Sequence, residues 1–553
     1  MAERGVKIVY NDIAPNAKGN FYASASEQMA FSDLSDFRRD DVEYKNFINP
    51  CELNLMVLDG EGEAFPIDTE DENFGLWSEQ LSNGDGAFEI PITVEFTANQ
   101  QYVSQGFTLT FDDDNGIYPT HLSIEWYRDY EQLSQADFYP NSPVYFCKNQ
   151  VSNYNRVVMT FYSLNVPQNR MRFRAIEYGY IATFKSDELM GVRIIQEVDP
   201  ISTELSINTA DFTLNSNRDV NFIFQAKQPV NFYFNGELKA ATFVSSSSRT
   251  SQKVWNVQTE DFIGVLEGVP FVGGMYKGYN AGNLLEDIFN TAKVPHQFDD
   301  VFYSEEITGY LPYSNCREAL MQVAFALGAV VSTANSTKVN VFRLEDDEKQ
   351  TISLDRVLQP QKFKKGETVT AVELVSHIYE PISETADLYN ANSGGYGYNI
   401  VVSFSEPMHD LMITNGDILV EHPNYAVINA YSGCVLTGYK YSHNTVIKTR
   451  KNPVVLASDL DKVLTIESAT LVNPNNVDRL LDLCYNNLVK TEELNCKIVE
   501  GRNNGEMSVS VGDAIGVDTE YRGTLKGRVT RQTYNLNGGI IVKDTTLKQR
   551  GEW

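Results

Sequence analysis

The stretch from about residue 76 to residue 195 alternates apolar and polar positions in a series of short runs. The runs read FEIPITVEF, GFTLTFD, THLSIEWY, RVVMTFYSL and RFRAIEYGYIATF. Because the side chains of a strand point alternately to its two faces, this period of two predicts half-buried strands. Evenly spaced strands without helical periodicity are typical of an antiparallel β-sandwich. We therefore predict a β-sandwich over residues 63–197.

Two further regions predict strands by the same pattern. The first begins at Val198 and contains NFIFQ and VNFYFNG, after which the Asn-Gly pair at 235–236 is typical of a hairpin turn. The second runs over residues 351–466, and the C-terminal segment 451–553 adds a compact β unit after one helix. For residues 1–62 the pattern predicts only an extended or strand segment.

Helical periodicity is confined to a few segments. The first helix is predicted from Asn283 to Val294. In the second, Asn315 and Glu318 have the spacing of a capping box, and Gly328 ends the apolar stripe. A hairpin of AVVSTA and KVNVFRL across residues 335–336 follows, so that residues 266–349 predict a small α/β domain.

One more helix is predicted near the C-terminal β unit. Its apolar stripe is typical of an amphipathic helix that covers a sheet. Asn473 is the predicted N-cap, and Pro474 is expected in the first turn, where proline is well tolerated.

The composition agrees with a mainly β, multi-domain protein. The chain has 553 residues, too many for a single hydrophobic core, so three to five domains are expected. It contains 30 tyrosines and 30 phenylalanines, residues that are enriched in strands. The fold class that we predict is an antiparallel β-sandwich plus further β domains, with a small α/β domain.

The charge of the chain bears on possible partners. Its 45 basic and 74 acidic residues give a formal net charge of −29. Such a field repels polyanions, so we expect no affinity for nucleic acid, although a pore with this surface would let DNA pass. The longest apolar run, Val323 to Val331, is too short for a membrane span, and the N-terminus lacks the apolar core of a secretion signal.

No pattern for catalysis or cofactor binding emerges from the polar residues. The acidic runs Asp112–Asp114 and 346–348 are expected to be solvated loops, with a calcium ion at a sandwich edge as the alternative for the first. Cys316 is expected to be a structural thiol, since no partnering base is evident. The six histidines lack the spacing of metal ligands. We therefore expect neither an enzyme nor a cofactor or metal site.

An aromatic cluster in SIEWYRDYEQ is the candidate binding site of the sequence. Trp126, Tyr127 and Tyr130 lie on or just after a predicted strand. Exposed rings of this kind can stack on a saccharide, which would make 63–197 a glycan-binding domain. The competing interpretation is that Trp126 fills the core of the sandwich, as large aromatic residues usually do.

The segments GGMY, GYLPYSNCREALMQVAFALGAVV and the C-terminal VSVGD, GRV and GGIIVK resemble hub proteins of tailed phages and phage-tail-like particles, especially those of Gram-positive hosts. The resemblance covers about residue 198 to the C-terminus, and the sandwich resembles an accessory module. It implies a homotrimer whose two tube-like β-barrel domains per subunit form a pseudo-sixfold ring. One such domain would be split between 198–265 and 350–450, and the other would lie in 451–553. No functional residue is carried over, because the family acts through interfaces.

We accordingly expect a virion structural protein, made in the bacterial cytoplasm, that forms the hub of a tail tip or baseplate. The expected partners are the tail tube or distal tail protein, the tape-measure protein and the central spike or fibre proteins, with DNA only as passing cargo. The alternative is a glycan-binding adhesin for host attachment that acts through residues 63–197. A wall-degrading enzyme is a third possibility. Contractile and non-contractile particles, including contractile injection systems, are both compatible with the sequence.

Overall fold

The computed structural model describes residues 5–14, 17–39, 49–51, 63–65, 74–217, 222, 224–345, 347–365, 369–453, 462–489, 492–499, 508–536 and 542–548. The chain divides into two compact units. The smaller unit contains Val9–Thr183 and Asp219–Pro229, and the larger unit contains Met1–Ile8, Phe184–Arg218 and Val230–Trp553. Strands predominate over helices in the described residues, which confirms the predicted mainly β, multi-domain fold.

The N-terminal third of the chain consists almost entirely of strands, with one short helix. Helix α1 is Ala17–Asn20. The strands are β1 (Val6–Ile13), β2 (Tyr22–Ala25), β3 (Asn49–Cys51), β4 (Glu63–Phe65), β5 (Leu76–Trp77), β6 (Ala87–Thr110), β7 (Pro119–Arg128), β8 (Glu131–Phe138), β9 (Val144–Leu164), β10 (Arg172–Phe173), β11 (Ala175–Glu177) and β12 (Gly179–Lys185).

The rest of the chain contains longer helices between strands. The helices are α2 (Phe262–Glu267), α3 (Ala281–Ala292), α4 (Cys316–Leu327), α5 (Ala391–Gly394) and α6 (Val477–Leu488). The strands are β13 (Leu189–Glu197), β14 (Thr209–Asn215), β15 (Pro229–Phe234), β16 (Glu237–Arg249), β17 (Val254–Glu260), β18 (Pro270–Phe271), β19 (Gly274–Asn280), β20 (His296–Phe298), β21 (Glu306–Leu311), β22 (Ser314–Asn315), β23 (Val330–Ser332), β24 (Val339–Phe342), β25 (Gln350–Ile352), β26 (Val357–Lys365), β27 (Ala371–Asn390), β28 (Gly397–Ser403), β29 (Met408–His422), β30 (Tyr425–Lys451), β31 (Val463–Ile466), β32 (Glu492–Val499), β33 (Ala514–Thr519), β34 (Gly523–Asn535) and β35 (Val542–Lys548).

An antiparallel sheet with the order β11-β6-β9-β7-β8 forms the body of the smaller unit, and β2 also pairs with β6. Burial alternates, as the period of two predicts, over parts of these strands, most regularly from Ile92 to Phe96 in β6 and from Val157 to Phe161 in β9. The runs FEIPITVEF and GFTLTFD, predicted as separate strands, belong to the single strand β6. Register shifts between β6 and β9 let the long strand continue through the polar residues between the two runs.

The larger unit contains two main sheets. One follows the order β15-β16-β17-β14-β13-β34-β35-β32-β26, and β33 pairs with β34 and β25. The other has the order β28-β30-β27-β31, with β29 also paired to β30. Helix α6 contributes Val477, Leu480 and Cys484 to a core shared with Val372 and Leu374 of β27.

The predicted α/β region forms as expected from its local signals. Asn315 Oδ1 accepts a hydrogen bond from Glu318 N, and Gly328 ends α4 in the left-handed conformation with a φ of 60°. Helix α3 begins after Asn280, whose side chain accepts from Asn283 N. Strands β23 and β24 form the predicted antiparallel hairpin. The boundaries of the five predicted domains remain predictions.

The start of the C-terminal helix differs from the prediction. Residues Pro474 to Asn476 form a turn, and α6 begins at Val477 with Asn476 as its N-cap. Asn473 Oδ1 accepts from Asn475 N, while Asn476 Oδ1 accepts from Asn473 N, which fixes an additional turn before the helix. None of the helices in the described part of the chain has the length and apolar character needed to cross a bilayer.

Candidate assembly surface

A row of valines, two of them exposed, crosses the sheet of β28, β30 and β29. Val427 of β30 pairs with Val401 of β28 on one side and with Val420 of β29 on the other. Val401 is 64% exposed and Val420 is 41% exposed. The neighbouring residues Val402 and Ala426 point to the opposite face of the sheet and are buried. The alternation therefore places apolar side chains on both faces of these strands, and only one face is covered.

Tyrosines extend the valine row. Tyr398 is 75% exposed, and its ring lies edge-on to that of Tyr431 with the centroids 6.4 Å apart. The Tyr431 hydroxyl donates to Asp417 Oδ2 at 2.6 Å, which holds the ring on the same face as the valines. We define the apolar row as Tyr398, Val401, Val420, Val427 and Tyr431. Because these apolar side chains adjoin one another on one face, the row is a candidate interaction surface.

The same sheet has an exposed strand edge. The segment of β30 from Tyr441 to Lys451 pairs with β27 along one side. Since β29 pairs with β30 only as far as Lys440, no other described strand covers the opposite side of this segment. Val446 and Ile447 are 48% and 58% exposed there. Such an edge is a template for strand pairing with another chain, and we call it the β30 edge.

Strand β26 presents a different edge. It ends the order of the large sheet and pairs with β32. Its residues Lys362, Lys364 and Lys365 place several positive charges along a short segment. Lysines on an edge strand hinder unwanted pairing. The β30 edge also carries basic residues, but its Lys448 and Arg450 form ion pairs with Asp478 and Asp482 of α6.

The aromatic residues predicted to bind sugar do not share a surface. Trp126 is completely buried and stacks on Phe107, with the ring centroids 5.6 Å apart. Tyr127 points to the opposite face of β7, where Arg156 lies over its ring at 4.6 Å and its hydroxyl donates to Glu125. Tyr130 is 96% exposed. Trp126 thus fills the core, and a glycan site would have to use Tyr127 and Tyr130 alone.

The prediction that Asp112–Asp114 is a solvated loop is wrong for Asp112. This residue is completely buried, and its carboxylate accepts hydrogen bonds from Arg172 at 2.5 Å and Arg174 at 3.3 Å. Arg174 also binds Asp113 and Asp114, the latter at 2.8 Å. The run is therefore an ion-pair cluster, in which guanidinium groups bind the oxygens that a calcium ion would need.

The second acidic run is also more than a solvated loop. Asp346 lies outside the described residues. Glu348 accepts from Lys526 at 2.8 Å and from the Thr351 hydroxyl, and the hydrogen bond from Lys526 lowers the pKa of its carboxyl group. Glu348 thus helps to connect the β25 region with β34.

Cys316 is buried like a structural thiol, as predicted. Cys316 is buried at the start of α4, and its thiol lies 3.7 Å from the carbonyl oxygen of Ile288. Burial raises its pKa to about 11, which disfavours the thiolate. The other cysteines whose side chains are described, Cys147, Cys434, Cys484 and Cys496, are free and buried.

A histidine pair is the polar cluster that sequence reasoning missed. His377 Nδ1 lies 2.9 Å from His443 Nε2, and His377 Nε2 lies 3.0 Å from the carbonyl oxygen of Glu467. Tyr379 stacks on His443 with the ring centroids 4.5 Å apart. Burial, and secondarily His443, lower the pKa of His377, which favours its neutral form. The pairing of β27 with β30 creates this contact between residues that are distant in sequence.

No protein-family model and no curated protein matches the chain. Among solved structures it is similar to a tail protein of Neisseria meningitidis MC58, with 10% identity over 67% of this chain and 95% of that one, and a TM-score of 0.44. For the 43 kDa tail protein of prophage MuSo2 from Shewanella oneidensis the identity is 8%, the coverage 67% and 96%, and the TM-score 0.42. The prophage tail protein gp18 of Listeria monocytogenes EGD-e has 10% identity over 68% of this chain and 91% of that one, with a TM-score of 0.39. At these values none of the three assigns a residue role to this chain.

Proposed function

We propose that this chain is the structural hub of a phage or phage-like tail tip, a homotrimer that joins the tail tube to the central spike or fibres. The observation that carries the proposal is the apolar row together with the β30 edge, two features of one sheet that self-association would cover. The resemblance of residues 198–553 to tail hub proteins supports the same role. In this proposal the chain acts through interfaces and not as an enzyme.

The proposal extends to the arrangement of the chain within the particle. Residues 198–265 with 350–450 and residues 451–553 would supply the two tube-like domains of each subunit, with 266–349 on the outside of the ring. The distal tail and tape-measure proteins would contact this ring, and the net charge of −29 suits a lumen through which DNA passes without binding. Negative-stain electron microscopy of the purified protein tests the ring directly. Particles without threefold symmetry at all protein concentrations would refute the proposal.

The paired substitutions Val401→Glu and Val420→Glu are expected to weaken self-association at least about 10-fold, or about 1.4 kcal/mol. Both residues would bring a carboxylate into an interface that excludes water, and a buried unpaired charge is costly. Sedimentation velocity over a range of concentrations measures the effect. The matched control is Ile90→Glu, which changes an apolar side chain that is 72% exposed on β6. An equal loss of association in both variants would contradict the role of the apolar row.

Glycan binding by residues 63–197 is the second candidate function. Tyr130, which is 96% exposed at the turn between β7 and β8, favours it. If this function is correct, the full chain binds at least one bacterial cell-wall or capsular glycan on an array, and Tyr130→Ala weakens that binding about 10-fold, since stacking contributes roughly 0.5–1.5 kcal/mol or more per ring. Tyr139→Ala, at a residue that is 66% exposed, is the control. A flat array signal would exclude the function.

A further inference from the structure

Residues 467–473, which we call the strap, follow β31 and lead to the turn before α6. One side of the strap is bound to the α/β region. The Thr470 hydroxyl donates to Gln322 Oε1 of α4 at 2.8 Å. Asn473 Nδ2 donates to the carbonyl oxygen of Thr308 in β21 at 2.9 Å. The strap is therefore fixed to two elements of that region.

His377 of β27 holds the other side of the strap. Its backbone N–H donates to the carbonyl oxygen of Val472 at 2.8 Å, and its Nε2 lies 3.0 Å from the carbonyl oxygen of Glu467. A carbonyl oxygen can only accept, so Nε2 must carry a proton. In the neutral ring Nδ1 is then an acceptor, and it accepts from His443 Nε2 at 2.9 Å. The contact with Glu467 thus determines which nitrogen of His377 faces His443.

A hydrogen bond between two imidazole rings tolerates one added proton but not two. With one proton added to the neutral pair, one of the two facing nitrogens still has a free lone pair and accepts. When both rings are charged, His377 Nδ1 and His443 Nε2 both carry hydrogen, and two N–H groups face each other across 2.9 Å. The two like charges also repel each other. Since His377 is only 6% exposed, turning its ring toward water would break the contact with Glu467.

The aromatic neighbours of the pair do not compensate a second positive charge. Tyr379 stacks on His443, and the ring of Tyr310 lies 5.7 Å from that of Tyr379. Burial raises the pKa of Tyr379 to about 12 and also raises that of Tyr310, so both phenols stay neutral in acid.

The charged side chains on the adjoining segments have other contacts or are exposed. In the part of the chain that the structure describes, none of them forms a hydrogen bond or an ion pair with either imidazole ring. These side chains are Glu373 and Glu380 of β27, Lys448 and Arg450 of β30, Glu467 of the strap, and Asp478 and Asp482 of α6.

We infer that the His377–His443 pair is an acid-sensitive clamp, which holds the strap against β27 while at least one ring is neutral and loosens it when both rings are charged. Histidine is the side chain whose charge ordinarily changes between pH 5 and 8. Burial, and secondarily His443, lower the pKa of His377 from the ordinary 6.5. The clamp therefore contributes its full stability above pH 6.5 and loses it as the pH falls through the lowered pKa. This inference does not depend on the proposed function.

Hydrogen exchange of the full chain, followed by mass spectrometry of strap peptides at pH 7.5 and pH 5, tests the clamp. The comparison is with His443→Gln, because an amide does not titrate and offers a donor to the neutral His377 ring or an acceptor to the charged one. Comparing both proteins at the same pH cancels the effect of pH on exchange chemistry and the cost of burying a charged His377. We expect the ratio of strap exchange rates, wild type over variant, to increase at least about 3-fold from pH 7.5 to pH 5. A ratio that is the same at both pH values would overturn the inference.

His443→Ala is a second test, which does not depend on how the glutamine packs. It removes the facing N–H group from an exposed position, so acid should accelerate strap exchange less than in the wild type. The matched control is His409→Gln in β29 of the same sheet. His409 lies 2.8 Å from the Asp410 carboxylate and 3.1 Å from the carbonyl oxygen of Lys440, and both groups accept from a charged ring. This control should keep the full acceleration, and full acceleration in the two His443 variants as well would show that the clamp does not exist.

Discussion

Replacing Asp112 with asparagine is expected to destabilise the smaller unit by about 3–5 kcal/mol. The carboxylate of Asp112 is completely buried and is hydrogen-bonded to Arg172 and Arg174, whose side chains are each 8% exposed. An amide of the same shape keeps the packing but removes the charge. Arg172 would then lose the carboxylate that it binds at 2.5 Å, while Arg174 would keep its ion pairs with Asp113 and Asp114. Breaking a buried ion pair costs far more than losing a surface one.

Urea unfolding followed by hydrogen exchange in peptides from β6 and β9 measures this effect, because both strands belong to the smaller unit. The control is Asp114→Asn. Asp114 also pairs with Arg174, at 2.8 Å, but its side chain is 38% exposed, so we expect a loss of less than about 1 kcal/mol. A loss of similar size in the two variants would show that burial of Asp112 is not the cause.

The cluster also shows why the acidic run was misinterpreted from the sequence. Three consecutive aspartates in an acidic chain are usually solvated, and no nearby residue indicates otherwise. The arginines that bind them lie about sixty residues later in the chain. Pairing of Ala175 in β11 with Thr110 in β6 brings the two segments together. A non-local strand register of this kind is not visible in the local pattern.

The helices of the α/β region were predictable because their signals are local. Asn315, Glu318 and Gly328 lie within one short segment. The N-cap at Asn315, the apolar stripe of α4 and the end of the helix at Gly328 appear in the structure with nearly the predicted bounds. The start of α6 differs from the prediction by three residues. The side chain of Asn476 makes no capping hydrogen bond, whereas Asn473 Oδ1 accepts from Asn475 N in the turn that precedes the helix. Differences of a few residues in the start of a helix are difficult to predict from sequence alone.

The candidate surfaces required the structure for a different reason. The alternation in YNIVVSFSEP and in the other strands predicts one covered face, but it does not say that the second face carries Val401, Val420 and Val427 in a single row. The same holds for Arg343 and Arg479, which meet at the carbonyl oxygen of Leu327. Each of these features depends on contacts between segments that are far apart in the chain.

The largest dependence of folding stability on pH that a single group causes is expected at Asp261, the N-cap of α2. Its carboxylate accepts from Ile263 N at 3.0 Å and from the Thr333 hydroxyl, and the residue is 1% exposed. Burial raises its pKa from the ordinary 3.8 to about 6, although these hydrogen bonds oppose the shift. Folding therefore favours the protonated form. The resulting penalty is absent below pH 3.8, grows between pH 3.8 and 6, and amounts to about 3 kcal/mol above pH 6, at about 1.4 kcal/mol per pKa unit.

Asp261→Asn should remove this dependence, because asparagine caps a helix about as well as aspartate and carries no charge to bury. The free energy of unfolding of the variant minus that of the wild type is expected to increase by about 2.5 kcal/mol from pH 4 to pH 7, as measured by urea denaturation. Asp287→Asn, on the exposed side of α3 in the same unit, is the control and should change this difference by less than about 0.5 kcal/mol. If the difference between Asp261→Asn and the wild type is constant across this range, the buried carboxylate is not the group that titrates.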